Sequence, residues 1–185
     1  SGVERPGTIV SGKREDESDG KLTWIGARAT GAWDGGPRGI FGYWIDGAYV
    51  WGDETLVEFE ELSRRGSIVV DNTDRRVSGW GLDVGATWIL PWRFEPRITL
   101  ADARGSGDRN PESGTDRSFR QTALHGNEAG FGGVRSFLNY GILLDPELSN
   151  LQILTVDLGF SIFRASSLDL AYHYYRQVEP SEFLR

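Results

Sequence analysis

From Leu148 to Val178 the chain reads LSNLQILTVDLGFSIFRASSLDLAYHYYRQV, two runs of alternating polarity joined at Arg164-Ala165-Ser166-Ser167. In the first run Leu154, Val156, Leu158, Phe160 and Ile162 share one parity, and Thr155, Asp157, Gly159 and Ser161 take the other. In the second, Leu168, Leu170, Tyr172 and Tyr174 alternate with Asp169, Ala171, His173 and Tyr175. A period of two is that of a strand, not of a helix with its 3.6-residue repeat. Both runs therefore predict strands with one oily and one wet face. A soluble sandwich would bury the oily face against a second sheet. An outer-membrane barrel would turn it to lipid and leave Asp157, Asp169 and His173 in a watery lumen.

Composition narrows the choice. The 185 residues suffice for one domain with a sizeable core. No run of about 18 apolar residues occurs, which excludes a transmembrane helix but not transmembrane strands, since each needs only about 10 residues. The 25 glycines and 12% aromatic content fit strands, turns and a membrane interface better than helices. Cysteine is absent, so no disulfide or thiolate site is available. A net charge of −7 argues against a nucleic-acid partner, which would need a basic stripe. Apart from Lys13 and Lys21, the 20 cationic residues are all arginine, whose planar fork suits carboxylates. A polycarboxylate partner is chemically plausible, although a GC-rich genome also yields such a composition. With methionine absent and Ser1-Gly2 at the start, the chain reads as a processed, excised or engineered segment.

Taken in order, residues 1–20 read as a solvated loop or tail around Arg14-Glu15-Asp16-Glu17-Ser18-Asp19. KLTWIGARATGAW, 21–33, predicts a first strand, in which Ile25, Ala27 and Ala29 oppose Trp24, Gly26 and Arg28. Asp34-Gly35-Gly36-Pro37 predicts a tight turn. In the second strand, 40–52, Phe41, Tyr43, Ile45, Tyr49 and Trp51 share a face, with aromatics at both ends, and Asp46 points away. In the third, 79–90, Trp80 and Trp88 bracket Leu82, Val84 and Ala86, with Asp83, Gly85 and Thr87 opposite. At about 3.3 Å per residue and roughly 45° tilt, such spans rise about 20 to 25 Å, the height of an outer-membrane apolar band between aromatic girdles. A soluble core would instead carry its largest rings in the middle.

The connections alternate between long and short. The links 53–78 and 105–150 are long; Pro91-Trp92-Arg93 and Arg164 to Ser167 are short. Bacterial barrels have short periplasmic turns and long outer loops, so the two long links are expected on the outer side. The fourth strand is expected over 94–104, where Asp102 falls on the parity of Ile98 and Leu100 and is tolerable only near the rim. Residues 179–185 are expected as a loop or tail.

Several stretches carry a resemblance. KLTWIGARATG, GWGLDVGATW, the Arg-Gly-Ser-Gly-Asp segment at 104–108, RQTALHGN at 120–127, FGGVRSFLNYGILLDPELSNLQ at 131–152 and SLDLAYHYYR at 167–176 together resemble the alginate export porins of bacterial outer membranes. The match runs from about residue 21 to 178 and is most specific at 131–151. The resemblance implies a large single-chain antiparallel barrel passing an anionic uronate polymer outward through an arginine-lined constriction. It also implies that Arg135, in GGVRSF, lines the pore from a folded-in loop. Glu128 departs from the family by standing near a position where a relative carries a base.

The expected substrate-binding residues are Arg135, Arg120, Arg104 and Arg117, gathered in or beside the long loop, where a polyanion would meet them. Asp46, Asp83, Asp157, Asp169 and His173 are expected to line the pore, the acids chiefly as lumen solvation. Phe41, Tyr43, Tyr49, Trp51, Trp80 and Trp88 are expected to form the membrane girdle. His173, Tyr175 and Arg176 could in an enzyme serve a uronate lyase, but parity sets Arg176 on the face away from His173. Asp108 to Gly114 has oxygen ligands at odd spacing, as a calcium loop would; Pro111 and the lack of a bidentate Glu argue against it.

The fold expected is all-β: an antiparallel up-and-down transmembrane β-barrel, of which this chain supplies about six strands. Because closed barrels begin at about eight strands, the end strands should not seal against each other. The expected function is passive export of an anionic polysaccharide such as alginate, with no catalysis, cofactor or metal. Its partners would be that polymer, outer-membrane lipid and the remaining strands of the barrel. The rival is a soluble carbohydrate-binding or polysaccharide-processing β-protein, which solubility without detergent would reveal.

Overall fold

The computed structural model describes residues 9–10, 19–62, 66–110, 113–121, 130–134, 136–138, 140–141, 146–163 and 165–180. Its strands are β1 (Ile9–Val10), β2 (Asp19–Asp34), β3 (Ile40–Leu62), β4 (Gly66–Ile89), β5 (Arg97–Gly105), β6 (Thr115–Asp116), β7 (Gly130–Phe131), β8 (Phe137–Leu138), β9 (Leu151–Phe163) and β10 (Ser166–Gln177). The six long ones form one antiparallel sheet in the order β10-β9-β5-β4-β3-β2. This is the up-and-down order that the alternating links predict. Among the described residues β2 and β10 are not paired with each other, so the sheet stays open at both ends.

The register carries the parity argument across the sheet. Trp33 stands opposite Phe41, and Phe41 opposite Trp88; Ile25 opposite Tyr49, and Tyr49 opposite Trp80. This settles β2: Ile25, Ala27 and Ala29 share the apolar face, and Trp24, Gly26 and Arg28 the polar one. On β9, Val156 and Leu158 are each 43% exposed, whereas Thr155 and Asp157 between them are 3% and 1% exposed. The oily side chains lie open and the polar ones are covered, the reverse of a soluble protein's arrangement.

Two stretches differ from the expectation. The link 53–78 is not a loop: β3 and β4 remain paired from Glu54↔Arg75 out to Leu62↔Gly66. Its charges read as loop in one dimension. In the ladder they become cross-strand partners, Asp53 opposite Arg76 and Glu54 opposite Arg75, with Thr55 Oγ1 donating to Asp74 Oδ1 at 2.7 Å. Since β5 stops opposite Gly81, the outer part of β4 has a free edge. There β1 pairs at Ile68 and Ser67 and β6 pairs in parallel at Arg76 and Val77, covering an edge that would otherwise be open to other chains. Ile9–Val10 is thus strand rather than solvated tail. The fourth strand begins at Arg97 instead of Phe94, because Phe94 and Glu95 take φ of 72° and 42° in the preceding turn, outside the extended region.

Described residues of the link 105–150 lie over the polar face. Phe119 packs where Gly81 has no side chain: a Cβ there would meet the Phe119 ring at 2.8 Å. Phe119, Tyr140 and Leu148 from this link join Val50, Val77, Ala103, Leu151 and Ile153 of the wall in one buried cluster. That contact explains why apolar Val50, Val77 and Ile153 stand on the polar face near the end with the long links.

Candidate functional site

The polar face and the segment lying on it form the candidate site. Near the long-link end, Ser106 Oγ donates to the Arg117 carbonyl at 2.7 Å and accepts from Trp80 N–H at 2.9 Å. Trp24 Nε1 donates to the Arg120 carbonyl at 2.9 Å. Arg120 Nη2 pairs with Asp116 and, at 3.4 Å, with Glu54 of β3. Midway down, Tyr140 Oη donates to Asp83 Oδ2 at 3.0 Å, and Trp44 Nε1 donates to Asp83 Oδ1 at 2.8 Å. Tyr175 Oη donates to the Tyr140 carbonyl at 2.8 Å. Burial, and then the neighbouring Asp83 carboxylate, push the Tyr140 phenol well above its ordinary value, so it stays a proton donor at any working pH. Lowest, Val134 N–H donates to Ser167 Oγ at 3.0 Å, close to the short β9–β10 turn. Ser167 lies opposite Ser161, ten residues along β9 from Leu151, so the segment descends roughly 33 Å of strand at about 3.3 Å per residue.

The acids of the polar face are specifically engaged. Asp46 lies 3.8 Å from Arg28 Nε, with both side chains solvent-accessible. Asp169 Oδ1 meets Arg97 Nη2 at 2.7 Å, in a pair only 11% and 9% exposed, and Arg97 Nη1 also donates to Ser161 Oγ at 3.3 Å. Asp157 interacts electrostatically with Asp169 and Arg97, yet neither of its carboxylate oxygens accepts a hydrogen bond among the described residues. His173 Nδ1 lies 2.9 Å from Thr155 Oγ1. Arg28, Thr30, Gly42, Trp44, Thr87 and Gly130 line most of a cleft of about 280 Å³ between the wall and the inward segment.

The expected site residues do not form one cluster. Arg120 and Arg117 sit together on the inward segment, Arg117 exposed. Arg104 lies on the opposite side of the sheet: it stands across from Leu82 and Gln152, with Nη2 3.6 Å from Asp102. Gln152 Nε2 donates to Asp102 Oδ1 at 2.9 Å, and Arg176 Nη2 donates to Gln152 Oε1 at 2.6 Å. Asp102, opposite Val84 and Leu154, thus stands within the apolar face and not at its rim as expected, in a polar strip whose members satisfy one another. Arg135 and Glu128 lie outside the described residues. As parity predicts, Arg176 points away from His173, and Tyr175 is occupied by a backbone carbonyl.

Phe41, Tyr43 and Trp88 form one row on the exposed apolar face, and Tyr49, Trp51 and Trp80 a second. Tyr49 and Trp51 stack at 5.8 Å between centroids. Sequence reasoning passed over Arg97, Trp44 and Tyr140. For the first two a signal exists, since Arg97 and Trp44 both fall on polar parity within their strands. Tyr140 has none, because its partners are 57 and 35 residues away.

Comparison with known proteins is consistent with this layout. The model of the Alginate export family matches residues 10–185. The alginate production protein AlgE of Pseudomonas aeruginosa is 27% identical over 179 residues, covering 96% of this chain and 35% of that protein. AlgE of Azotobacter vinelandii is 30% identical over 113 residues, covering 60% of this chain and 22% of its own length. The chain thus spans about a third or less of the relatives it matches. An all-β antiparallel sheet and a family match over nearly its whole length agree: the chain belongs to the Alginate export family.

Proposed function

We propose that this chain is a wall segment of an outer-membrane barrel through which alginate, or a similar polyuronate, is exported passively. The observation that carries the reading is the inverted sheet: its apolar side chains stand exposed while Asp83, Arg97, Thr99, Thr155 and Asp157 are buried. In water such a face would be a large aggregation liability, whereas in a bilayer it is the ordinary lipid-contacting wall. The two aromatic rows, about 26 Å apart along β3 at roughly 3.3 Å per residue, would sit at the two headgroup levels. Strands supplied beyond β2 and β10 would complete the wall, since unpaired backbone is not tolerated in hydrocarbon.

On the polar side, Arg28, Arg117 and Arg120, together with Arg135, would attract uronate carboxylates. The interspersed Asp46, Asp83, Asp157, Asp169 and His173 would keep affinity low enough for release. Transport of this kind needs neither bond making nor a cofactor. A soluble carbohydrate-binding or processing protein is disfavoured by the exposed apolar face. The test is a planar-bilayer recording of the complete barrel containing this chain. Oligouronates should block its current, and Arg135→Ala should move the reversal potential toward cations and weaken the block. A detergent-free soluble protein without channel activity would refute the reading, and an unchanged reversal potential would return Arg135 to the solvated loop residues.

A further inference from the structure

One residue of the inward segment touches two wall strands that are not neighbours. Tyr140 gives its phenolic proton to Asp83 of β4 and takes, on its carbonyl, a hydrogen bond from Tyr175 of β10. Between those strands lie β5 and β9, three inter-strand steps, or about 14 Å in a flat sheet. Tyr140, bonded through its phenol at one end and its carbonyl at the other, spans that interval together with the Tyr175 side chain. Next to it, Gly141 has φ 92°, and a Cβ there would meet Tyr175 Oη at 2.9 Å, so the backbone is pressed against β10. On the other side, Trp44 Nε1 holds Asp83 from β3, and Gly85 leaves room for the indole, since a Cβ there would lie 2.0 Å from the Trp44 ring. Asp83 is thereby oriented by one donor and presented to the other.

We propose that Tyr140 is the positioning residue of the export passage: slung between Asp83 and Tyr175, it fixes the inward segment across the wall and so sets the bore. The inference rests on the polar face being the lumen, as proposed above. A passing polymer pushes on whatever crosses the bore, and among the described residues the segment is also tied by hydrogen bonds and ion pairs around Ser106 and Arg120 at its upper end and at Ser167 at its lower end. The Tyr140 bond is made to a buried carboxylate oxygen, and deleting its donor takes a partner from that oxygen. Its loss should raise the population of displaced segment about tenfold or more, the ratio equivalent to about 1.4 kcal/mol.

The test records single-channel current from the complete barrel containing this chain in a planar bilayer. Tyr140→Phe keeps the ring and deletes the donor, and is expected to raise the frequency of current fluctuations about tenfold. Tyr175→Phe removes the second anchor and should do likewise. Asp83→Asn, which keeps an amide oxygen for Trp44 and an N–H for the phenol oxygen, should stay nearer the unmodified trace. Asp102→Ala, an acid lost from the apolar face, should leave the fluctuations as they are. Heat-modified electrophoretic mobility checks that each barrel is folded, a property the proposed role would not move. Folded Tyr140→Phe and Tyr175→Phe barrels with unmodified fluctuations overturn the positioning role while leaving the lumen reading intact. An unmodified barrel that carries no current overturns both.

Discussion

Ile45→Arg separates a lipid-facing wall from a water-facing one by magnitude alone. Ile45 is on β3 midway between Phe41 and Tyr49, one in each aromatic row, and stands opposite Ala29 and Val84 on the same face. Four residues at about 3.3 Å give roughly 13 Å of strand to either row, or about 9 Å of depth at a tilt near 45°. That places Ile45 close to the middle of a band about 25 Å tall, where an arginine on the lipid face costs about 2 to 4 kcal/mol. The side chain is 49% exposed in the isolated sheet. Were that exposure to water, the same substitution would fall within about 0.5 kcal/mol, as for most surface sites. The measurement is a reversible denaturant titration of the complete barrel in liposomes, comparing Ile45→Arg with Asp46→Asn on the other face, expected to cost less than the arginine. A cost for Ile45→Arg below about 0.5 kcal/mol would refute the assignment of this face to lipid.

Two further outcomes follow from the register and the buried pairs. Brominated acyl chains should quench Trp33, Trp51, Trp80 and Trp88, which stand on the apolar face, but not Trp24 or Trp44, whose indole N–H groups are engaged on the polar one; single-tryptophan variants read this directly, and strong quenching of Trp44 would contradict the facing. Arg97→Met removes the sole cation paired with Asp169 among the described residues and leaves Asp157 beside it, so it should destabilise folding by about 3 to 5 kcal/mol, whereas the double replacement with Asp169→Leu should restore much of that. Equal losses in the single and double variants would show that the ion pair is not the cause.

Much of this architecture is legible one residue at a time. The alternation from Leu154 to Tyr174 determines strands with an oily and a wet side, because successive side chains in a strand point to opposite faces. The placement of Trp80 and Trp88, or of Phe41 and Trp51, at the margins of their runs determines that the oily side has two rims. Parity alone also separates His173 from Arg176. What a strand's own sequence does not contain is its partner. Register decided that Ile25 and Ala29 join the apolar face and that Asp102 has Arg104 and Gln152 for company. Pairing turned the charged stretch 53–78 from an expected loop into ladder, since Glu54 and Arg75 are complementary only once the strands are side by side. The inward segment lay furthest beyond reach. Arg104 and Arg120 look adjacent in the chain, but a strand end between them sends one to the apolar face and the other to the polar side. Tyr140 gains its role only because Asp83 and Tyr175 reach it from different strands, a contact set by tertiary packing and by no local pattern.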